Sequence, residues 1–212
     1  MIPCTVLSRR ALILVLATAV TGSCTGASPD LSIKSTIKEV HAMKDANKMI
    51  PPVSSFTSAP LRNRLRVELK APVSEVWALI GDLSRFPEYS SGLEKVVATH
   101  DASGALTEYV CHFKPGENNG EGISHREKIR WYEPNRGYAS SGEEGNAFGL
   151  SNDLNLVAVE PSEEGTILTW DEYYDAEDLD SRRADYDQAL MDIGEHLRRR
   201  FGGAIVGRYV DR

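Results

Sequence analysis

Near residue 70 the chain changes its hydrophobic period, and that change limits what can form on either side. Leu65, Val67 and Leu69 alternate with Arg66, Glu68 and Lys70, the period of a half-buried strand. After Ala71 the spacing becomes helical. Val73, Val76, Trp77 and Ile80 recur at i, i+3, i+4 and i+7, a stripe that must face a core. Pro72 suits the first turn of that helix, and Glu75 lies near its positive end. Asp82 is placed to cap a second short helix, which Pro87 limits.

From Leu93 the pattern is strands and turns. Strands are expected at 94–100, 106–113, 123–132, 138–143, 152–160 and 166–174. Asp101-Ala102-Ser103-Gly104 and Pro161-Ser162-Glu163-Glu164-Gly165 supply turn chemistry between them. A helix is expected over 181–201, where Tyr186, Leu190, Ile193, Leu197 and Phe201 share one face. Asp180 or Ser181 would cap it, Gly202-Gly203 would end it, and Arg198, Arg199 and Arg200 complement its negative end. A strand-rich middle between two short helices and one long amphipathic helix gives an α+β class, with the long helix packed on one sheet face.

The order of these pieces resembles the START-like, or SRPBCC, superfamily, which includes the polyketide cyclase/dehydrase-like proteins. The resemblance is carried by 71–89, by Trp131-Tyr132-Glu133-Pro134-Asn135-Arg136-Gly137-Tyr138, and by Val159-Glu160-Pro161 followed by Gly165 to Trp170. It covers roughly 64–201, and no one of these motifs is diagnostic alone. It implies a helix-grip fold: a curved antiparallel sheet of about seven strands around a long C-terminal helix, enclosing a hydrophobic cavity. It implies a ligand-binding shell and no particular chemistry.

The ends of the chain differ from this domain. Met1 to Arg10 contains Arg9 and Arg10 and no acid, Ala11 to Val20 is apolar or small, and small residues follow to Ala27. That is the layout of an export signal, with an apolar run too short to span a bilayer comfortably. Ser8-Arg9-Arg10 resembles a twin-arginine signal without its usual Phe, so the Sec and Tat routes both stay open. Thr21-Gly22-Ser23-Cys24 resembles a lipobox with Thr21 where Leu is usual. Cys24 would be either the lipidated first residue of the mature chain or lost on cleavage after Ala27. The expected layout is a signal over 1–27, a linker or docked arm over 28–62, a domain over 63–203 and a tail over 204–212. The mature protein is expected in the periplasm or cell envelope, free or lipid-anchored.

Loss of the two leader arginines leaves 22 basic against 31 acidic residues, a net charge of −9. An acidic surface without a basic stripe argues against nucleic acid and anionic headgroups as partners. Membrane contact is then expected only through export or a lipid anchor. Cys111 has no internal partner once Cys4 has left, so no disulfide framework is expected. No Cys/His spacing suits zinc, and the acids over 171–187 lack a calcium loop. No metal and no cofactor are expected.

Chemistry is sought on the inward strand faces. Period two over 123–131 groups Ile123, His125, Glu127, Ile129 and Trp131, with Ser124, Arg126, Lys128 and Arg130 facing solvent. Leu168, Trp170, Glu172 and Tyr174 share the inward face of the last expected strand, and Asp153 and Asn155 join them if Val157 and Val159 are inward. Buried polar groups need partners or a task. A ligand cavity lined by these residues, by Trp77, by Leu190 and Ile193 of the helix, and by Phe148 and Leu150 of a glycine-rich loop would be apolar at one end and polar at the other. The same loop reads equally as a lid or as a plain hairpin turn.

Three functions fit. One is an exported binding protein for a lipid, isoprenoid or polyketide-like molecule. Another is a cyclase or dehydratase with His125 as acid–base and Glu127 or Glu172 beside it. A third is an envelope interaction domain whose interior is filled by its own side chains.

Overall fold

The computed structural model describes residues 50–116, 122–143 and 146–211. The expected export signal, Cys24 and the linker up to residue 49 lie outside them. β1 (Leu61–Leu69) buries Leu65, Val67 and Leu69 while Arg66 stays exposed, as its alternation predicts. The extended backbone of Pro72 leads into α1 (Val73–Ile80), which buries Val76, Trp77, Leu79 and Ile80. A 3-10 turn over Leu83–Glu88 follows, and the Asp82 carboxylate accepts from the Ser84 amide at 3.2 Å. Then come β2 (Leu93–His100), β3 (Leu106–Phe113), β4 (Ser124–Glu133), β5 (Gly137–Gly142), β6 (Leu150–Pro161) and β7 (Thr166–Ala176). α2 (Leu179–Phe201) is the long helix, and β8 (Ala204–Val210) ends the fold.

The strands form one antiparallel sheet in the order β2-β3-β4-β5-β6-β7-β1-β8. The sheet therefore has eight strands, one more than expected. The additional strand consists of residues read from sequence as a tail. Gly202 and Gly203 hold positive φ (73° and 103°), which turns the chain back so that β8 pairs with β1. Arg208 also pairs with Asp187 of α2, and Asp211 accepts from Arg62 at 2.5 Å.

The α2 cap is a further difference from expectation. The Asp178 side chain accepts from the Ser181 amide at 3.3 Å, so the helix begins two residues before 181. Leu190, Ile193, Gly194 and Leu197 face the sheet. Gly194 lets the helix approach closely, since a Cβ there would stand 3.1 Å from Leu65.

Two apolar clusters lie on opposite faces of the sheet. The larger joins the inner face to α1, the 3-10 turn and α2. The smaller comprises Ala139, Leu154 and Leu156 on the outer face, covered by Ile50, Val53 and Phe56. The described part of the segment before β1 is thus a docked arm. Among the described residues no helix is long and apolar enough to cross a membrane.

Candidate functional site

Because the sheet curves around α2, the inward positions of β3, β4, β6 and β7 face the helix across a gap. A cavity of about 690 Å³ fills it. Phe86, Leu93, Cys111, Phe113, Ile123, Leu190 and Ile193 supply apolar walls, while His125, Glu127, Asp153, Asn155 and Glu172 bring polar atoms. The expected interior with one apolar and one polar part is present. A self-filled interior would not leave this volume open.

The polar part is built across three strands. His125 and Glu127 both point inward from β4, and His125 Nε2 lies 2.6 Å from Glu127 Oε1. Asp153 reaches the same place from β6, although β5 runs between. This contact depends on Gly142 of β5. A Cβ at 142 would meet His125 Cε1 at 2.7 Å and Asp153 Oδ2 at 3.0 Å, so the absent side chain leaves the room the two groups share. The Gly142 amide also donates to Asp153 Oδ2 at 2.7 Å. An irregularity in β6, with Asn152 at φ 53°, lets both Leu150 and Asp153 face the cavity. From β7, Glu172 accepts from Trp170 Nε1 at 2.9 Å.

Burial governs the ionisation of these groups. Removal from water raises the Glu127 carboxyl above its ordinary value, opposed by the bond to His125 and reinforced by Asp153. Burial raises Glu172 further, with the Glu127 charge adding to it and the Trp170 bond opposing. The Cys111 thiol is pushed up by burial and then by Glu127, so it stays neutral and is a poor nucleophile. The Tyr109 hydroxyl, raised mainly by burial, keeps its proton and pairs with Ser140 at 2.9 Å. His125 Nδ1, Glu127 Oε2 and Asn155 Oδ1 are buried and have no hydrogen-bond partner among the described residues.

His125, Glu127 and Asp153 each offer one ligand atom, and these atoms lie within 4.8 Å of one another. No sequence spacing announces such a set, because its members come from strands two apart in the sheet. The trio has the donor types for a divalent cation.

Of the residues expected at the cavity, Ile123, His125, Glu127, Phe148, Leu150, Trp170, Glu172, Leu190 and Ile193 line it. Trp131 does not. The β4–β5 register slips between Ile129 and Trp131, leaving Arg130 unopposed and turning Trp131 to the outer cluster. Tyr132 takes the inward position and packs on Trp77, ring centroids 5.5 Å apart. That contact holds Trp77 in the core, away from the cavity. Ile129 also packs against the core. Tyr174 sits behind the lining, donating to Asn63 Oδ1 at 2.8 Å and resting on Tyr186 at 5.1 Å. Tyr186 and Cys111 line the cavity although no sequence signal marks them for it, and Tyr109 lines it as well. Tyr186 was legible as a member of the helical stripe.

Phe148 lies against both Phe113 (5.3 Å) and His125 (5.0 Å), each edge to face. The Asn146 side chain accepts from the amides of Phe148 and Leu150, at 3.0 and 3.2 Å, and so tucks both apolar residues over the cavity.

A curved antiparallel sheet gripping a C-terminal helix, with a cavity between the two, defines the START-like class. Residues 61–192 match the family described as polyketide cyclase / dehydrase and lipid transport, and the chain belongs to that family. A START superfamily protein from Mycobacterium smegmatis is similar in structure, with a TM-score of 0.56 at 11% identity, covering 67% of this chain and 97% of its own. XoxI from Bacillus cereus gives 0.53 at 18% identity, covering 66% and 95%. A protein from Mesorhizobium loti gives 0.51 at 12%, covering 65% and 95%. At such identities the likeness concerns the fold. No curated protein matches the chain.

Proposed function

We propose that this chain is an exported binding protein for a small amphipathic molecule of lipid, isoprenoid or polyketide type. The observation that carries this reading is the cavity of about 690 Å³, apolar along most of its wall, in which His125 Nδ1, Glu127 Oε2 and Asn155 Oδ1 have no partner among the described residues. Buried polar atoms left unpaired cost on the order of 1–3 kcal/mol each, and a ligand head group would remove that cost. The size and lining are those of a small-molecule site. The family's description, which includes lipid transport, supports the same reading. Phe148 and Leu150 serve as the cover, and α2 as one wall. The leader directs the chain to the envelope, where it works free or anchored through Cys24.

The test is mass spectrometry of the protein purified from its own host, native and after organic extraction. A stoichiometric hydrophobic molecule supports the proposal and names its class. An empty protein that also fails to bind a panel of neutral fluorescent lipids and polyphenols sinks it.

A second reading rests on the 2.6 Å contact between His125 and Glu127. An imidazole held by a buried carboxyl on the wall of a cavity can act as acid and base in a cyclase or dehydratase step. This reading requires that His125→Ala abolish turnover of the extracted molecule while binding persists. Loss of affinity alone would count against it.

A further inference from the structure

We infer that the molecule held in this cavity carries a protonated amine, seated against Glu127, Asp153 and Glu172. This deepens the binding-protein reading above and rests on it. The sheet side of the cavity wall presents three carboxyl groups from three strands, and α2 adds Asp185, while the basic side chains among the described lining residues are His125 and Arg182. Both are already engaged: His125 Nε2 with Glu127 at 2.6 Å, and Arg182 with Asp185 at 3.2 Å, near the start of α2. The lining therefore offers acceptors in excess.

Each carboxyl already accepts a protein hydrogen bond and has capacity left. Asp153 takes the Gly142 amide, Glu172 takes Trp170 Nε1, and Glu127 takes His125. The independent sign of a ligand is a pair of atoms without a partner among the described residues, on two residues more than nine-tenths buried. His125 is 5% exposed with Nδ1 unpaired, and Glu127 is 8% exposed with Oε2 unpaired. Asn155 Oδ1 adds another orphan acceptor on the same wall. An ammonium brings up to three N–H donors and one positive charge, which matches acceptors that need donors and carboxyls that repel one another. A carboxylate or phosphate head would bring further acceptors and a negative charge to a wall already in excess of acceptors. The apolar walls formed by Leu93, Phe113, Leu190 and Ile193 receive the hydrocarbon body.

The test uses three probes with one tail: decylamine, decanol and decanoate, measured at pH 7 by calorimetry on the mature chain freed of bound lipid. Decylamine should bind about tenfold or more tighter than decanol, with decanoate weakest. The Glu127→Gln/Glu172→Gln variant, checked for folding by circular dichroism, should bring amine and alcohol to within about threefold. The amine should lose roughly thirtyfold while decanol is little changed. If the variant does not fold, the ranking on the parent protein still decides. Decanol or decanoate binding as tightly as the amine overturns the inference and leaves the binding-protein reading intact. Failure of all three to bind overturns both. Stoichiometric zinc or manganese surviving dialysis, with no preference for the amine, also overturns it by assigning His125, Glu127 and Asp153 to a metal.

Discussion

Trp170 Nε1 donates to Glu172 Oε1 across 2.9 Å, joining two residues of one inward strand face beneath the cavity. The bond favours the ionised carboxyl, yet burial and the neighbouring Glu127 outweigh it and hold Glu172 well above the ordinary range. A carboxyl with a raised folded pKa keeps its proton more firmly in the folded chain than in the unfolded one. Its contribution to stability is therefore full at acid pH and is lost as pH climbs from the unfolded value, about 4.3, through the folded one. Glu172→Gln removes that loss. The empty variant should be more stable than the parent at pH 7, by on the order of 1 kcal/mol, with the advantage shrinking towards pH 4.5. Urea denaturation of both proteins between pH 4.5 and 8 reads the difference. A variant less stable across the whole range would mean that the carboxylate is ionised and paired.

Gly142 carries no side chain where His125 and Asp153 meet, and its φ is ordinary for any residue. Gly142→Ala therefore strains packing and leaves the backbone at ease. The new methyl, placed 2.7 Å from His125 Cε1, should push the ring off Glu127. We expect a stability cost of about 1–3 kcal/mol and weaker binding of the native ligand. Imidazole nitrogen shifts by NMR would report the broken His125–Glu127 contact. Unchanged shifts would show that the ring has more freedom than the packing suggests.

The inward placement of His125, Glu127, Trp170 and Glu172 was legible because period-two alternation continues unbroken through those segments. Trp131 was misplaced because the unopposed residue at Arg130 reverses the alternation, and a bulge is set by pairing with a neighbouring strand, not by local composition. The Asp153 contact was illegible for a related reason: it crosses an intervening strand and depends on a glycine there. β8 escaped because an edge strand pairs on one side only, and its burial alternates between exposed and half-buried. The α2 cap moved to Asp178 because several acids precede the helix and only the turn geometry selects among them.

Gly203 marks where that missed strand begins. Its φ of 103° is in the region that favours glycine, and a Cβ would collide with the Glu68 carbonyl of β1. Gly203→Ala should cost about 3 kcal/mol from backbone strain and lost edge pairing together. The helix and inner sheet should remain folded. Hydrogen exchange should show faster exchange confined to 204–210 and the facing edge of β1. Uniform loss of protection would mean that β8 is integral to the cooperative unit.

Phe148 touches His125 and Phe113 from above, and Asn146 fixes its amide. A cover of this kind governs escape of the ligand more than the stability of the fold. Each edge-to-face aromatic pair contributes about 0.5–1.5 kcal/mol. Phe148→Ala should therefore speed dissociation of a neutral probe such as Nile red by roughly tenfold, with Tm shifted by only a few degrees. Stopped-flow displacement gives the rate and calorimetry the midpoint. Asn146→Ala should act in the same direction more weakly, since it frees the turn while keeping the ring. A large fall in Tm with an unchanged dissociation rate would make Phe148 a packing residue of the hairpin, and the route in and out of the cavity would then run elsewhere.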